Sequence, residues 1–436
     1  MRQLLHYFYL LPFLLMSVPL TAQSDQAQYN YDEARVPDFQ LPELLLSEQG
    51  DKITTAREWT QLRRPEILES FTRQVYGKVP DSPLQIDFEE TATYSDALDG
   101  KATLKEVKVS FSNEQGTHAM SLLMFIPNEV TGPAPAFLGL NFYGNHSIHP
   151  DPHISISESW VNNSEKFQIS NHRADEGSRG VRVHRWPVER IIDRGYALIN
   201  IYYGDIDPDY DDGFKNGVHP LFYQNGQEKP AEDEWGSIAA WAWGLSRALD
   251  YLQTDEAIDA QKVAVIGHSR LGKAALWAGA TDERFAITIS NDSGCGGAAL
   301  SRRKFGETVA RINTSFPHWF ADNFVQYNNQ EEKLPVDQHM LISLMAPRPV
   351  YVASAAEDLW ADPKGEFLSA KYATEVYRLL GKIGLPAEQI PVVNRPVMGT
   401  IGYHIRTEGH DLKAYDWEQY LDFADMHLKN TPAAGH

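Results

Sequence analysis

The chain has 436 residues, a formal net charge of −20 at pH 7 and 42% hydrophobic residues. The acidic charge argues against nucleic acids and anionic membrane surfaces as partners, and the single cysteine, Cys295, excludes an intramolecular disulfide. The apolar fraction is sufficient for one extensive core. Because no linker, low-complexity segment or internal repeat interrupts the chain after residue 35, the sequence predicts one large domain.

The first 22 residues have the composition of a secretory signal peptide. Arg2 precedes an almost entirely apolar stretch at 10–20, and small residues at 21 and 22 come before polar sequence. We expect residues 1–22 to be removed on export to the periplasm or the outside of a bacterium, which leaves no membrane segment. Residues 23–35 are predicted to be a disordered polar lead-in. Residues 36–436 are predicted to form a single α/β domain that is monomeric.

Apolar patterning predicts the elements that follow. A helix is expected at 55–77 with a break near Pro65, and strands at 107–111 and 120–126 are expected to pair antiparallel at the sheet edge. Strands and helices then alternate, which is typical of a mostly parallel twisted sheet with helices on both faces. The predicted parallel strands are 136–142, 197–203, 263–267, 286–290, 350–354 and 390–393. The predicted helices include 187–194, 235–252 and 415–428, and the polar stretch 144–181 is predicted to be an insertion over the functional face.

The most informative segment runs from Val263 to Trp277. Its β-branched run ends at Gly267, an alanine-rich helical pattern begins after Ser269, and Gly272 is the second small residue beside the turn. This strand–turn–helix context is typical of a nucleophile elbow, in which a serine hydroxyl is exposed on a sharp bend. The order and spacing of the elements match the α/β-hydrolase fold, with the serine after the fifth predicted strand, and they indicate a serine esterase.

A nucleophilic serine needs a histidine base and an orienting acid, which follow in the chain order Ser, acid, His in this fold. His410 lies in a loop just before the final helix and is the preferred base, with His404 as its competitor. Asp358 follows the strand at 350–354, where this fold usually supplies its acid, and Asp292 follows the preceding strand. Asp358 is favoured, and both acids remain candidates.

Two cations, Arg270 and Lys273, lie in the first turn of the helix after the serine. The helix macrodipole disfavours cations there unless nearby acids neutralise them, so a functional role is favoured. Arg270, next to Ser269, is expected to assist the oxyanion together with backbone N–H groups. Lys273 lies on the same helix face as the serine and is expected to meet polar oxygens of a substrate.

A family likeness is carried by several long motifs. Gly267-His-Ser-Arg-Leu-Gly-Lys273, followed by Ser290-Asn-Asp-Ser-Gly-Cys-Gly-Gly297, resembles the glucuronoyl esterases of carbohydrate esterase family fifteen. Further segments that are similar to this family, and to its bacterial branch, are Arg185-Trp-Pro187, Tyr202-Tyr-Gly-Asp-Ile-Asp-Pro-Asp209, Phe316-Pro-His-Trp-Phe320, Met345-Ala-Pro-Arg-Pro-Val350 and Trp360-Ala-Asp-Pro-Lys-Gly-Glu366. The resemblance runs from about residue 55 to the C-terminus.

The resemblance implies hydrolysis of the ester that joins the carboxyl of 4-O-methyl-glucuronate on xylan to alcohol groups of lignin. Glucuronoxylan or a lignin–carbohydrate ester is then the expected partner. It implies Ser269 as the nucleophile, His410 as the base and Arg270 as an aid to the oxyanion. Three further residues are implied to contact the hydroxyls and ring of the sugar: Lys273, Glu307 and Trp360.

Two positions depart from the fungal pattern of this family. Fungal members have a disulfide-bonded cysteine before the nucleophile, where this chain has His268, and Cys295 has no partner. They place a glutamate where this chain has Asp292, whereas bacterial members often carry an acid after the later strand. The shorter side chain of Asp292 is a further reason to favour Asp358.

No metal or cofactor is expected. The acidic run at 205–212 lacks the glycine and glutamate of a calcium loop and is interpreted as a capped, solvated turn. The spacing of His146, His149 and His153 fits no usual zinc site.

Two rival functions remain open at this point. One is another exported carbohydrate esterase, such as an acetyl-xylan esterase, although Arg270, Lys273 and Glu307 suit a uronate carbonyl better than a small acetyl group. The other is a carbohydrate-binding module without catalytic activity, which the intact Ser269, Asp358 and His410 disfavour.

Overall fold

The computed structural model describes residues 29–224 and 226–429. The predicted signal peptide at 1–22 and the start of the lead-in at 23–28 lie outside the described residues. Within the described residues, ten strands form one sheet. They are β1 (Gln85–Ala97), β2 (Ala102–Asn113), β3 (Gly116–Pro127), β4 (Ala134–Asn141), β5 (Ala197–Tyr202), β6 (Ile258–His268), β7 (Ile287–Asn291), β8 (Val350–Ala355), β9 (Val397–Met398) and β10 (Ile401–Arg406).

The order of strands across the sheet is β1-β2-β3-β5-β4-β6-β7-β8-β10-β9. The first three strands form an antiparallel meander, and β3 pairs antiparallel with β5. From β5 to β10 the neighbours are all parallel, and β9 is an antiparallel edge strand. This is the α/β-hydrolase fold. The carboxyl ends of the parallel strands share one edge of the sheet, so the loops after β6, β8 and β10 converge there.

The helices of the described residues cover both faces of the sheet. The α-helices of six or more residues are α1 (Arg64–Phe71), α2 (Val188–Asp193), α3 (Ser237–Leu252), α4 (Arg270–Thr281), α5 (Val309–Ser315), α6 (Gln338–Ser343), α7 (Pro363–Leu379) and α8 (Ala414–Ala424). Alternate residues of β4 lie in two separate apolar clusters, one on each face of the sheet, because successive side chains of a strand point to opposite faces. Leu138 belongs to the larger cluster and Phe137 to the smaller. No helix in the part of the chain that the structure describes is long and apolar enough to cross a bilayer.

The five predicted strands from 136–142 to 350–354 are confirmed as β4 to β8, and the predicted antiparallel pair is β2 and β3. The pair is not at the sheet edge, because β1 lies outside it. The sequence did not predict β1, since most of its side chains are exposed and include Glu89 and Glu90. Charged edge strands resist pairing with other chains, but they lack the buried alternation that marks a strand.

The predicted strand at 390–393 is wrong. Val392 is 75% exposed, and the last strands are β9 and β10 instead. The predicted helix break near Pro65 is also wrong, because helical backbone continues from Ala56 to Tyr76 with π-type turns on either side of α1. Pro65 sits in the first turn of α1, where a missing N–H costs little.

The prediction of disorder at 23–35 is wrong for the part that the structure describes. Tyr29 is buried, and Asp32 caps a 3₁₀ turn at Glu33–Arg35 by accepting from the Ala34 N–H. A polar composition therefore coexists here with specific packing against the domain.

Candidate active site

Ser269 lies in the turn between β6 and α4 with φ 60° and ψ −130°. Such backbone is strained for a residue other than glycine and persists where the surroundings enforce it. The Ser269 N–H donates to the Asn291 carbonyl oxygen at 2.9 Å. Gly267 permits the turn, because a Cβ there would lie 1.9 Å from the Leu271 carbonyl oxygen. The turn holds the serine at the carboxyl end of β6 and the N-terminus of α4.

His410 and Asp358 meet at the same edge of the sheet. His410 follows β10, Asp358 follows β8, and His410 Nδ1 lies 2.6 Å from Asp358 Oδ2. With the carboxylate accepting, Nδ1 carries the proton and Nε2 is the basic nitrogen. The His410 side chain is 41% exposed, whereas the Asp358 side chain is buried. The His268 ring, next to Ser269 in the chain, lies 4.6 Å from the His410 ring, which places this loop against the serine turn.

The competing candidates lie deeper. His404 is buried within β10, and its Nε2 lies 2.8 Å from Asp416 Oδ1. Asp292 follows β7 with φ 47°, and its Oδ2 accepts a hydrogen bond from Arg406 at 3.2 Å. Burial and the neighbouring carboxylate of Glu366 raise the pKa of Asp292 well above its usual range. Asp358, and not Asp292, is the carboxylate hydrogen-bonded to His410.

Arg406 holds the loop that carries His410. Its guanidinium donates to the carbonyl oxygens of Thr407 at 2.8 Å and Gly409 at 2.9 Å, and also to that of Asp411. These bonds fix the backbone on both sides of His410.

Arg270, the first residue of α4, forms an ion pair with the buried carboxylate of Asp209. Its guanidinium carbon lies 4.6 Å from the centre of a Trp319 ring, within range of a cation–π contact. Asp209 also accepts from His318 Nε2 at 2.9 Å and from Trp319 Nε1 at 2.8 Å. Burial opposes ionisation of Asp209, but Arg270 and these donors hold its pKa well below the usual range. Asp209 therefore neutralises the cation that the N-terminus of α4 disfavours.

The interpretation of 205–212 as a solvated turn is wrong for its alternating acids. Asp205, Asp207 and Asp209 are all buried, and burial raises the pKa of Asp205 to about 6. Asp207 accepts a hydrogen bond from the Ser237 hydroxyl. These partners lie far along the chain, so no local pattern distinguishes this run from an ordinary acidic turn.

Lys273, Glu307 and Trp360 form a second cluster that begins one helical turn from the serine. The buried Lys273 ammonium donates to the Ser293 carbonyl oxygen. Burial lowers the pKa of Lys273, and the negative charge of Glu307 partly offsets this effect. Burial raises the pKa of Glu307, opposed by Lys273 and by a side-chain hydrogen bond from Trp360. The Glu307 N–H also donates to the Trp360 carbonyl oxygen at 3.0 Å. A cation, a carboxylate and an indole thus share one location.

The insertion at 144–181 covers the carboxyl ends of β4 and β5. Phe167 packs edge-on against Tyr143, which follows β4, with ring centroids 4.8 Å apart. The Trp160 carbonyl oxygen accepts from the Tyr202 hydroxyl at 2.7 Å, at the end of β5. The insertion therefore lies over the sheet edge that also carries the serine turn.

Among the described residues, one group of three side chains with metal-ligating atoms comes together: Asp292, Asp358 and His410, whose ligand atoms lie within 4.8 Å of one another. His410 is hydrogen-bonded to Asp358, and Asp292 to the Arg406 guanidinium. A cation already faces this group, so its chemistry is that of an acid–base cluster. Cys295 is a buried free thiol whose pKa burial raises well above its ordinary value, as expected of an unreactive cysteine.

Comparisons with known proteins identify the family of this chain. The family profile described as glucuronyl esterase of fungi matches residues 188–381. A carbohydrate esterase from an unknown prokaryotic organism is 54% identical over 400 residues, which span 92% of each chain.

Two solved structures are also similar to this chain. A promiscuous CE15 esterase from a marine bacterial metagenome superposes with a TM-score of 0.87 at 54% identity, covering 92% of this chain and all of the other. A glucuronoyl esterase from Solibacter usitatus superposes with a TM-score of 0.85 at 47% identity, covering 91% of this chain and all of the other. The chain belongs to the CE15 family of glucuronoyl esterases.

Proposed function

We propose that this protein hydrolyses the ester between the carboxyl of 4-O-methyl-glucuronate or glucuronate in glucuronoxylan and a lignin-type alcohol. The observation that carries the proposal is the cluster of Lys273, Glu307 and Trp360. Within it, Lys273 lies one helical turn after Ser269. A sugar ester needs hydrogen-bond donors, acceptors and an apolar plate rather than a deep apolar pocket, and this cluster supplies all three. The similarity to the glucuronoyl esterase of Solibacter usitatus supports the same substrate class.

In the proposed reaction, Ser269 Oγ attacks the carbonyl carbon of the ester while His410 takes the hydroxyl proton. Asp358 keeps the imidazole in the required tautomer and stabilises the imidazolium that forms. Backbone N–H groups at the start of α4, together with Arg270, stabilise the negative charge on the carbonyl oxygen. The tetrahedral species then expels the alcohol, which takes its proton from His410, and leaves a glucuronoyl ester on Ser269.

A water molecule completes the cycle. His410 removes one of its protons as it attacks the acyl carbon, and the Ser269 oxygen leaves with that proton. The products are the free uronate and the restored serine. No metal or cofactor is needed for either half of this cycle.

The proposed setting is outside the cytoplasm, in the periplasm or the extracellular medium, with the protein acting as a monomer. A polymeric xylan substrate is accessible only there. The predicted signal peptide at 1–22 supports this setting, and the strongly acidic charge disfavours anionic membranes and nucleic acids as partners.

The test compares initial rates on benzyl glucuronate and 4-nitrophenyl acetate. We expect rapid cleavage of the glucuronate ester, and we expect Lys273→Met and Trp360→Ala to raise its KM while affecting the acetate much less. Cleavage of the acetate alone would assign the protein to the deacetylases. Turnover of neither ester, with binding of glucuronoxylan retained, would support a carbohydrate-binding module instead.

A further inference from the structure

The segment 29–33, called here the strap, packs on the loops that carry Glu307 and Trp360. The Tyr29 ring meets the Trp360 indole edge-on, with centroids 5.0 Å apart and planes at 85°. This is a favoured arrangement for two aromatic rings, because the positive edge of one faces the negative face of the other. Tyr29 is only 8% exposed, so the contact is shielded from water.

Backbone and ionic contacts anchor the strap on both sides of this ring pair. Gly306 precedes Glu307 in the chain, and its N–H donates to the Asn30 carbonyl oxygen at 2.8 Å. The Glu33 carboxylate pairs with Arg303 at 2.6 Å and with Lys364 at 2.6 Å. Arg303 belongs to the loop before Glu307, and Lys364 follows the loop of Trp360. The strap therefore joins the two loops.

The two loops have little room to shift relative to each other. Gly306 has φ +63°, and a Cβ there would lie 2.5 Å from the carbonyl oxygens of both Leu359 and Trp360. The guanidinium carbon of Arg311 lies 5.7 Å from the centre of the Tyr29 ring. Tyr29 thus contacts both Trp360 and Arg311.

We propose that the strap is a positioning element of the sugar-binding cluster, and that Tyr29 is its central residue. It sets the orientation of the Trp360 indole beside Glu307, whose N–H donates to the Trp360 carbonyl oxygen. This inference rests on the proposed function, in which these two residues contact the uronate ring. Because the strap contacts the cluster that recognises the sugar, its loss should weaken substrate recognition and leave bond cleavage unchanged.

The experiment uses the whole exported protein and three variants: Tyr29→Ala, Tyr29→Phe and, as a control on a different surface, Tyr372→Ala. KM and kcat are measured on benzyl glucuronate, kcat/KM on 4-nitrophenyl acetate, and Tm by thermal unfolding. Loss of the aromatic pair in Tyr29→Ala should raise KM for the glucuronate ester about threefold to tenfold. Its kcat on that ester and its kcat/KM on the acetate should change by less than about twofold. Tyr29→Phe and Tyr372→Ala should behave like the parent.

The outcomes separate the two claims. An active parent with an unchanged KM in Tyr29→Ala overturns the role of the strap and leaves the proposed function intact. Equal loss on both esters with a lower Tm also overturns it, because the strap would then only stabilise the fold. A parent that does not cleave benzyl glucuronate at all overturns both claims.

Discussion

The imidazole of His410 and the carboxylate of Asp358 share a hydrogen bond of 2.6 Å at the carboxyl edge of the sheet. The other acid nearby, Asp292, is instead bound by Arg406 at 3.2 Å. Burial raises the pKa of Asp292 well above its usual range, and the charged group that faces its carboxylate is the Arg406 guanidinium. This geometry favours Asp358 over Asp292 as the acid that orients His410.

Replacing each acid by its amide tests this separation. Asp358→Asn should lower kcat on benzyl glucuronate about a hundredfold or more, because the amide no longer enforces the basic tautomer of His410. Asp292→Asn should lower kcat by less than about tenfold. Steady-state kinetics on both variants measures the difference, and a larger loss in Asp292→Asn would assign the orienting role to Asp292.

Asp209→Asn should impair catalysis although Asp209 is not expected to touch the substrate. The amide keeps the shape of the carboxylate but removes the charge that pairs with Arg270, so the guanidinium is no longer fixed in the position from which we propose that it assists the oxyanion. We expect kcat to fall about tenfold to a hundredfold with a small change in KM. Asp211→Asn, an exposed acid of the same run, is the matched control and should retain parent kinetics. Equal kinetics in both variants would show that the ion pair does not support the reaction.

Glu366→Gln should flatten the dependence of stability on pH. Burial raises the pKa of Glu366 from 4.5 to about 8, although Ser354 and the Gly294 N–H donate to its carboxylate. Between these values the folded protein holds a proton that the unfolded chain releases, so stability falls as pH rises across this window.

The neutral glutamine of Glu366→Gln should remove this loss of folding stability with rising pH. The variant should therefore gain several degrees in Tm relative to the parent between about pH 5 and pH 8. Thermal unfolding over a pH series measures it. The control Glu357→Gln changes an exposed residue in the loop between β8 and α7, and it should follow the parent curve. Parallel curves for the parent and Glu366→Gln would mean that Glu366 does not carry the pH dependence.

The parallel strands β4 to β8 were predictable because buried strands and amphipathic helices leave strong periodic patterns, whereas the parallel strand β10 was missed. The turn around Ser269 was predictable for a local reason, since Gly267 and Gly272 flank a position that needs close backbone approach. The predictions for β1 and for the segment at 390–393 failed in opposite ways. The first is a strand with an exposed, charged surface, and the second is an apolar run on the surface that forms no strand.

The candidate site was predictable where chain order determines it and hidden where tertiary contacts determine it. Ser269, Asp358 and His410 follow the order of the fold. Asp209 and Tyr29 depend on partners far along the chain, Arg270 and Trp360 respectively, which no local periodicity or composition reveals. A buried aspartate and a solvated one have the same sequence signature until the partner is known.

The rate of benzyl glucuronate hydrolysis by the parent and by Ser269→Ala tests the proposed serine mechanism directly. The substitution removes one hydroxyl from an otherwise intact turn, and an unchanged Tm would verify the fold. We predict that the parent cleaves the ester and that kcat in the variant falls by about a thousandfold or more. A variant that retains the rate of the parent would contradict a serine nucleophile at this position, and with it the proposed mechanism.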